Sequence, residues 1–340
     1  MIFAPRRSST LPERLNTSQV MLQVVYALLP GTLLLIILFG WGMLSNLLLA
    51  LSFALGLEVL MLNLRQRPVR PFVLDFSAVV TAWLLAVSLP AYSPWWLIAV
   101  AMIFAIVIAK HLYGGLGYNP FNPAMIGYAA VLVSYPLQMT SWPEPFSASF
   151  AHVSFAQTLQ QVFGGGNPKD IWDAYTAATA LDSMKVDLRL HQTLPSIYQH
   201  DAFGWLAGSG WEWVNLAWLF GGLWLIHKRI ISWHIPVAML AALSTIASIF
   251  WVVNSAHYAS PLFHLFGGAA MLGAFFIATD PVTASTTPRG KLIYAAGIGL
   301  FVYIIRTWGG YPDAVAFSFI IMNMGVPLID YYTQPRVYGT

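Results

Sequence analysis

The 340-residue chain has few side chains suited to catalysis, and their spacing excludes most chemistries. There is no cysteine, which rules out disulfides, thiol catalysis, cysteine-ligated iron–sulfur clusters and Cys-x-x-Cys-His haem attachment within this chain. Eight histidines are present but scattered: His111 and His264 border apolar runs, while His152, His191 and His200 lie in one polar stretch. No His-x-x-x-His helix pair occurs, so no metal site is expected. Neither a Gly-x-Ser-x-Gly elbow nor a pair of catalytic carboxylates points to hydrolysis. Any electron carrier here has to be a flavin, a quinone or something a partner brings.

Three segments remain. Gly114-Gly115-Leu116-Gly117-Tyr118-Asn119-Pro120-Phe121-Asn122-Pro123 must leave helical geometry at the edge of an apolar run. Non-helical backbone at membrane depth is tolerated only when buried in protein or lining a cavity. The segment is therefore either a cofactor or ion contact, with Tyr118, Asn119 and Asn122 as candidates, or a turn with interfacial aromatics. Ala278-Thr279-Asp280-Pro281-Val282-Thr283 offers Asp280 as a cap for the following turn, or as a polar wall for a flavin or quinone. Asp75 has the same two readings, and Glu58 is expected to reach the membrane interface. The third segment is Asp173-Ala174-Tyr175-Thr176-Ala177-Ala178-Thr179. Locally it reads as a helix start capped by Asp173 or Thr176. Chemically, a threonine hydroxyl among alanines can enter a transferase's active site and accept a phosphoryl group.

The elements that hold these segments follow from composition. Apolar residues make up 58% and charged residues 9%, against a usual charged share of about 25%. So few charges cannot cover a soluble surface of this size. The net charge of +3 is too small and scattered for nucleic-acid binding. Ten apolar runs have roughly the length of membrane spans, about 17–25 residues, near 21–39, 42–63, 74–90, 94–113, 121–136, 205–226, 233–253, 260–279, 290–307 and 312–332. With the N-terminus inside, twelve of the sixteen basic residues fall in cytoplasmic segments. The other four, Lys169, Lys185, Arg189 and Arg306, fall outside. That asymmetry satisfies the positive-inside rule and puts both termini in the cytoplasm. The fold expected is an all-α polytopic membrane protein: a cytoplasmic segment 1–20 without a signal-peptide cleavage site, a five-helix half 21–136, a periplasmic loop 137–204, a second half 205–333 and a cytoplasmic tail 334–340.

The loop, rich in acidic residues, carries Phe150, Phe155, Ile171, Trp172 and Tyr175, so a folded patch is expected. The two halves resemble each other. Asp75 to Pro90 matches Phe266 to Pro281 in small-residue pattern and terminal proline, and at the same offset Asn122 meets Asp313. Five spans per half make the copies inverted, an arrangement that builds sites near the membrane midplane.

The segment Asp173–Thr179 resembles the flavinylation motif Asp-x-x-Ser/Thr-(Gly/Ala/Ser)-Ala-Thr, matched at Asp173, Thr176, Ala178 and Thr179. The stretches 114–124 and 278–283 resemble the family uniting the D subunits of Rnf ion-translocating oxidoreductases with the B subunits of sodium-pumping NADH:quinone oxidoreductases. The likeness runs over nearly the whole chain, and the short N-terminal segment favours the Rnf branch. It implies FMN held on Thr179 as a phosphoester and attached by an FMN transferase that cleaves FAD. It leaves room for a non-covalent riboflavin, and it implies a ten-helix inverted repeat similar to urea channels. The implied setting is the bacterial inner membrane. The implied partners are iron–sulfur subunits and a second FMN-carrying subunit. Together they would couple electron transfer between ferredoxin and NAD to movement of Na⁺ or H⁺. The rival reading, a passive urea-channel-like transporter, gives the Thr179 motif no role.

Overall fold

The computed structural model describes residues 15–145, 154–164, 176–311 and 313–334. In lipid a backbone must satisfy its own polar groups, so the apolar runs become helices. The first half holds α1 (Thr17–Phe39), α2 (Trp41–Leu64), α3 (Ser77–Ser88), α4 (Trp95–His111) and α5 (Pro123–Ser134). A shorter helix, α6 (Ala180–Arg189), lies in the connection. The second half holds α7 (Trp211–His227), α8 (His234–Val253), α9 (Pro261–Phe266), α10 (Ala270–Leu272 continued by Gly273–Ile277), α11 (Pro288–Trp308) and α12 (Val315–Thr333). Five of these, α1, α2, α8, α11 and α12, are long and apolar enough to cross a membrane, and α3, α4 and α5 are shorter apolar helices. The chain is a multi-pass membrane protein.

The expected runs fall on these helices, with local corrections. The run at 205–226 starts its helix only at Trp211, after Gly210 at φ +75. The run at 260–279 is two helices, because the chain breaks at Gly267 and Gly268. Pro123 does not interrupt a helix; it starts one. Asn122 caps α5 by accepting from Met125 N–H, and proline at the first helical position has no amide to lose.

Two helix entrances share a construction. Phe76 at φ +61 precedes α3, and Gly268 at φ +58 stands just ahead of α10. Asp75 accepts from Ser77 N–H at 2.7 Å, and Asp313 accepts from Ala269 N–H at 2.9 Å. Each carboxylate thus satisfies an amide left free where the chain turns into a helix. Near the bundle's centre, α1 packs on α7. A Cβ on Gly31 would lie 2.4 Å from the Trp218 ring, so this glycine makes room for the indole. Small residues of this kind let membrane helices approach closely.

Of the expected loop patch, Phe150, Ile171, Trp172 and Tyr175 lie outside the described residues. The described part pairs β1 (Trp142–Pro143) antiparallel with β2 (Thr176–Ala177). It also packs α6 through Ala180 and Met184 against Leu194, Ile197, Ala207, Ala259 and Phe263.

Candidate functional site

Two cavities lie toward opposite ends of α1 and α3. One reaches Leu35, Val87 and Ser88; the other reaches Thr17, Met21, Ser77 and Thr81. Between them the wall is thin, since Met125 and Ile277 face the first while Ala124 and Phe276 face the second.

The first cavity, about 110 Å³ and open at its mouth, has Thr179 and Asp182 among its lining residues. Its walls include Tyr128, Trp142, Trp211 and Trp218. The Trp142 and Trp211 rings meet edge to face at 4.9 Å, and Phe39 packs 5.1 Å from Trp211. Local chemistry explains the position of Thr179. Its Oγ1 accepts from Asp182 N–H at 3.3 Å, so it is the N-cap of α6. The expected caps were Asp173 and Thr176; Thr176 instead pairs its backbone with Pro143 in the strand, and Asp173 lies outside the described residues. The first turn of α6 sits on glycines. A Cβ on Gly268 would come within 2.6 Å of Leu181 Cδ1, and one on Gly208 within 3.0 Å of the Ala180 Cβ.

Further along α6, Lys185 Nζ donates to the carbonyls of Tyr311 at 2.7 Å and Ile305 at 3.3 Å. Arg189 reaches Gly309 O at 3.5 Å. These carbonyls sit at and just beyond the C-terminus of α11, where the helix dipole favours cations; that of Ile305 also accepts from Gly309 N–H at 2.9 Å. Burial holds the Lys185 amine down at about 8; Arg189 adds to this and Asp182 opposes it. The Asp182 carboxyl is raised by burial, against the pull of Lys185.

The second cavity, about 340 Å³, brings together three sequence candidates: Asn119, Asn122 and Asp280 all line it. Asn122 Nδ2 donates to Asp280 Oδ2 at 3.2 Å. Asp280 also accepts from Val282 N–H and Thr283 Oγ1, so it both caps the turn and walls the cavity. Asn119 Oδ1 is buried without a hydrogen-bond partner. An orphan acceptor at a cavity wall suits a ligand with an N–H to donate. Tyr118, the remaining candidate of this loop, is 71% exposed and does not line the cavity.

Glu58 departs from expectation. It does not reach an interface but is buried at 1% exposure, receiving Lys110 Nζ on both oxygens at 2.9 Å. Lys110, counted above with the cytoplasmic segments, is itself buried and also donates to Ser77 Oγ. His111 Nε2 lies 3.0 Å from Glu58 Oε2. Consecutive residues reach one carboxylate because the end of α4 (Ile103–His111) is a π-helix, whose wider turn shifts successive side chains together. The sequence did hold a signal for this group: one acid and one base, each inside an apolar run, need each other. The aromatic walls of the first cavity and the Lys185 contact left no such signal.

A profile described as the NQR2, RnfD, RnfE family matches residues 6–339. The chain is 49% identical to the D subunit of an ion-translocating oxidoreductase complex of Vibrio atlanticus, covering both chains completely. A protein of the same name from Escherichia fergusonii is 47% identical over all of this chain and 99% of the relative. One from Ectopseudomonas mendocina is 53% identical over 95% of this chain and 92% of the relative. With a match that runs nearly end to end, the chain belongs to the NQR2, RnfD, RnfE family.

Proposed function

We propose that this chain is the D subunit of an Rnf-type ion-translocating oxidoreductase and carries FMN as a phosphoester on Thr179. The relatives' names support the complex. The observation that carries the flavin reading is the position of Thr179: the residue is among those lining an aromatic-walled cavity. A planar ring tethered there can enter between indoles and a phenol, the contacts that hold aromatic ligands. A phosphate on Thr179 would stand at the N-terminus of α6, where free amides and the helix dipole favour negative charge. Attachment balances simply. Thr179 Oγ1 attacks the phosphorus of the FMN half of FAD, the phosphoanhydride bond to the AMP half breaks, AMP leaves and the hydroxyl proton passes to solvent.

Bound flavin supplies one- and two-electron chemistry; the protein supplies position and surroundings. Trp142, Trp211 and Trp218 exclude water from the ring's space, and Asp313, held by Arg306 at 3.1 Å, provides a fixed negative group on the same cavity wall. The second cavity suits a non-covalent riboflavin, with Asn119 Oδ1 free to accept a ring N–H. The chain in this reading is two inverted five-helix halves, supported by the paired entrances at Phe76 and Gly268. Its α6 lies on the periplasmic side of the inner membrane and both termini are cytoplasmic. Electrons from ferredoxin or NAD pass through partner iron–sulfur and FMN subunits, coupled to Na⁺ or H⁺ movement.

The test is a denaturing gel viewed under ultraviolet light, with protein from cells that contain the FMN transferase. The wild-type band fluoresces and Thr179→Val is dark. A dark wild-type band refutes the covalent flavin, and a fluorescent Thr179→Val band moves it to another residue, Thr176 first.

A further inference from the structure

The acceptor hydroxyl is badly placed for the reaction assigned to it. Thr179 is half-buried, its Oγ1 is engaged by Asp182 N–H, and it faces a cavity inside the chain. The next two residues are pressed onto glycines: Ala180 onto Gly208, and Leu181 onto Gly267 and Gly268. With α6 docked, an enzyme that must surround Thr179 to bring FAD in line with its oxygen meets these packed neighbours on one side. The contacts that hold α6 down are of a kind that separates readily. They include the small cluster around Met184, three side chain–carbonyl contacts from Lys185 and Arg189, a half-exposed Asp187–His200 pair at 3.7 Å, and a two-residue strand pair just before Thr179. Among the described residues, no strand ladder fastens α6 itself to the membrane helices.

We infer that α6 is a detachable cap: Thr179 is esterified only while α6 is lifted from its glycine bed, and re-docking carries the attached group into the aromatic cavity. This rests on the flavin reading above, and adds to it the form of the substrate that the transferase recognises. Leu181 fills the space above Gly268, and the Lys185 ammonium donates to the Tyr311 carbonyl and adds a second donor at that of Ile305, which also accepts from Gly309 N–H.

The absence of native cysteine makes the cap easy to lock. Ala180→Cys with Gly208→Cys brings two Cβ atoms to 3.0 Å, so a shift of about half an ångström reaches the roughly 3.5–4.5 Å a disulfide needs. A second lock leaves the acceptor's neighbours unaltered: Arg189→Cys with Trp308→Cys, joined by a short bis-maleimide at the far end of α6. The full-length chain, purified from cells without the transferase, is incubated with transferase, FAD and Mg²⁺, and covalent fluorescence is followed over time. Bridged protein is expected to be modified at least ten-fold more slowly than the same protein unbridged, with the rate restored by reducing the disulfide. Equal rates in bridged and unbridged forms of the second pair overturn the proposal. The wild type in the same assay reports on the flavin reading separately: if it takes up no flavin, that reading fails. The cap is then judged by labelling of Met184→Cys, a thiol that sits in the buried cluster under α6. Slow maleimide labelling in the folded protein supports detachment, and complete protection until global unfolding refutes it.

Discussion

The Glu58 end and the Thr179 end of the molecule are built on opposite terms. At the first, an acid and a base from two helices are buried against each other, and a π-helical turn brings His111 to the same carboxylate. At the second, a short helix rests on bare glycine backbone and sends Lys185 across to carbonyl oxygens instead of a carboxylate. Buried ion pairs resist partial opening, because separating them strands a charge in a medium that cannot solvate it. A helix held by apolar contact and carbonyl caps pays no such penalty when it leaves.

Breaking the Glu58 end should have the largest effect. Glu58→Leu leaves the buried Lys110 without its carboxylate partner, an expected loss of about 3–5 kcal/mol in stability. The double variant Glu58→Leu/Lys110→Met should recover most of it, since neither charge then remains. Thermal unfolding in detergent measures both. If the single variant melts with the wild type, the pair is not holding this end together.

A smaller effect is expected at the glycine bed. Gly268 adopts φ +58, and a Cβ there would meet Asp313 Oδ2 at 2.5 Å and Leu181 Cδ1 at 2.6 Å. Gly268→Ala adds left-handed strain of about 1–2 kcal/mol and pushes Leu181 upward. It should therefore loosen α6 while leaving the Glu58 end unaltered. Proteolysis of the α6 region at fixed temperature distinguishes the two: faster cleavage with little change in the main melting transition is the expected pattern. A lowered main transition without faster cleavage would show that α6 and the bundle unfold together.

The same contrast explains what could be read from the chain. Helix positions were legible because lipid imposes a length and forbids unpaired backbone, so the apolar runs fall on α1 to α5 and α7 to α12, with the run at 205–226 starting its helix late and that at 260–279 split in two. Asn122 and Asp280 were legible as polar residues at broken helices, and they do meet. Glu58 was misread because an acid late in an apolar run has two outcomes, interface or partner, and the partner Lys110 lies 52 positions away. The cap role of Thr179 was hidden for another reason. Asp173, Thr176 and Thr179 are all good cap residues, and only the tertiary seat of α6 on Gly208 and Gly268 decides among them.

Thr179 itself separates the two roles. Thr179→Ala should cost about 1 kcal/mol as a lost cap, felt in α6 alone, while abolishing covalent flavin completely. Thr179→Ser keeps an oxygen for Asp182 N–H and for the phosphoester, and should retain both. Gel fluorescence and protection of α6 amides from hydrogen exchange read the two effects in one preparation. Loss of fluorescence in Thr179→Ser together with normal amide protection would show that the transferase requires the threonine methyl.

The smallest effect is expected from pH. Burial holds the Lys185 amine at about 8 when docked, below the ordinary lysine value of 10.5. Its charged form is thus the costlier one to bury, and the lifted helix binds the proton more tightly. Docking should be indifferent to pH below about 8 and strengthen as pH rises from there toward 10.5. The charged groups facing Lys185, Asp182 and Arg189 on its own helix, do not change sign in that window. The carbonyls of Ile305 and Tyr311 do not titrate at all. A nitroxide on Val186→Cys, at an exposed position of α6, should become a few-fold less mobile over this interval. In Lys185→Met the trend should vanish. A mobility that grows with pH would mean that the ammonium favours docking and that its bonds to Ile305 and Tyr311 outweigh the cost of burying it.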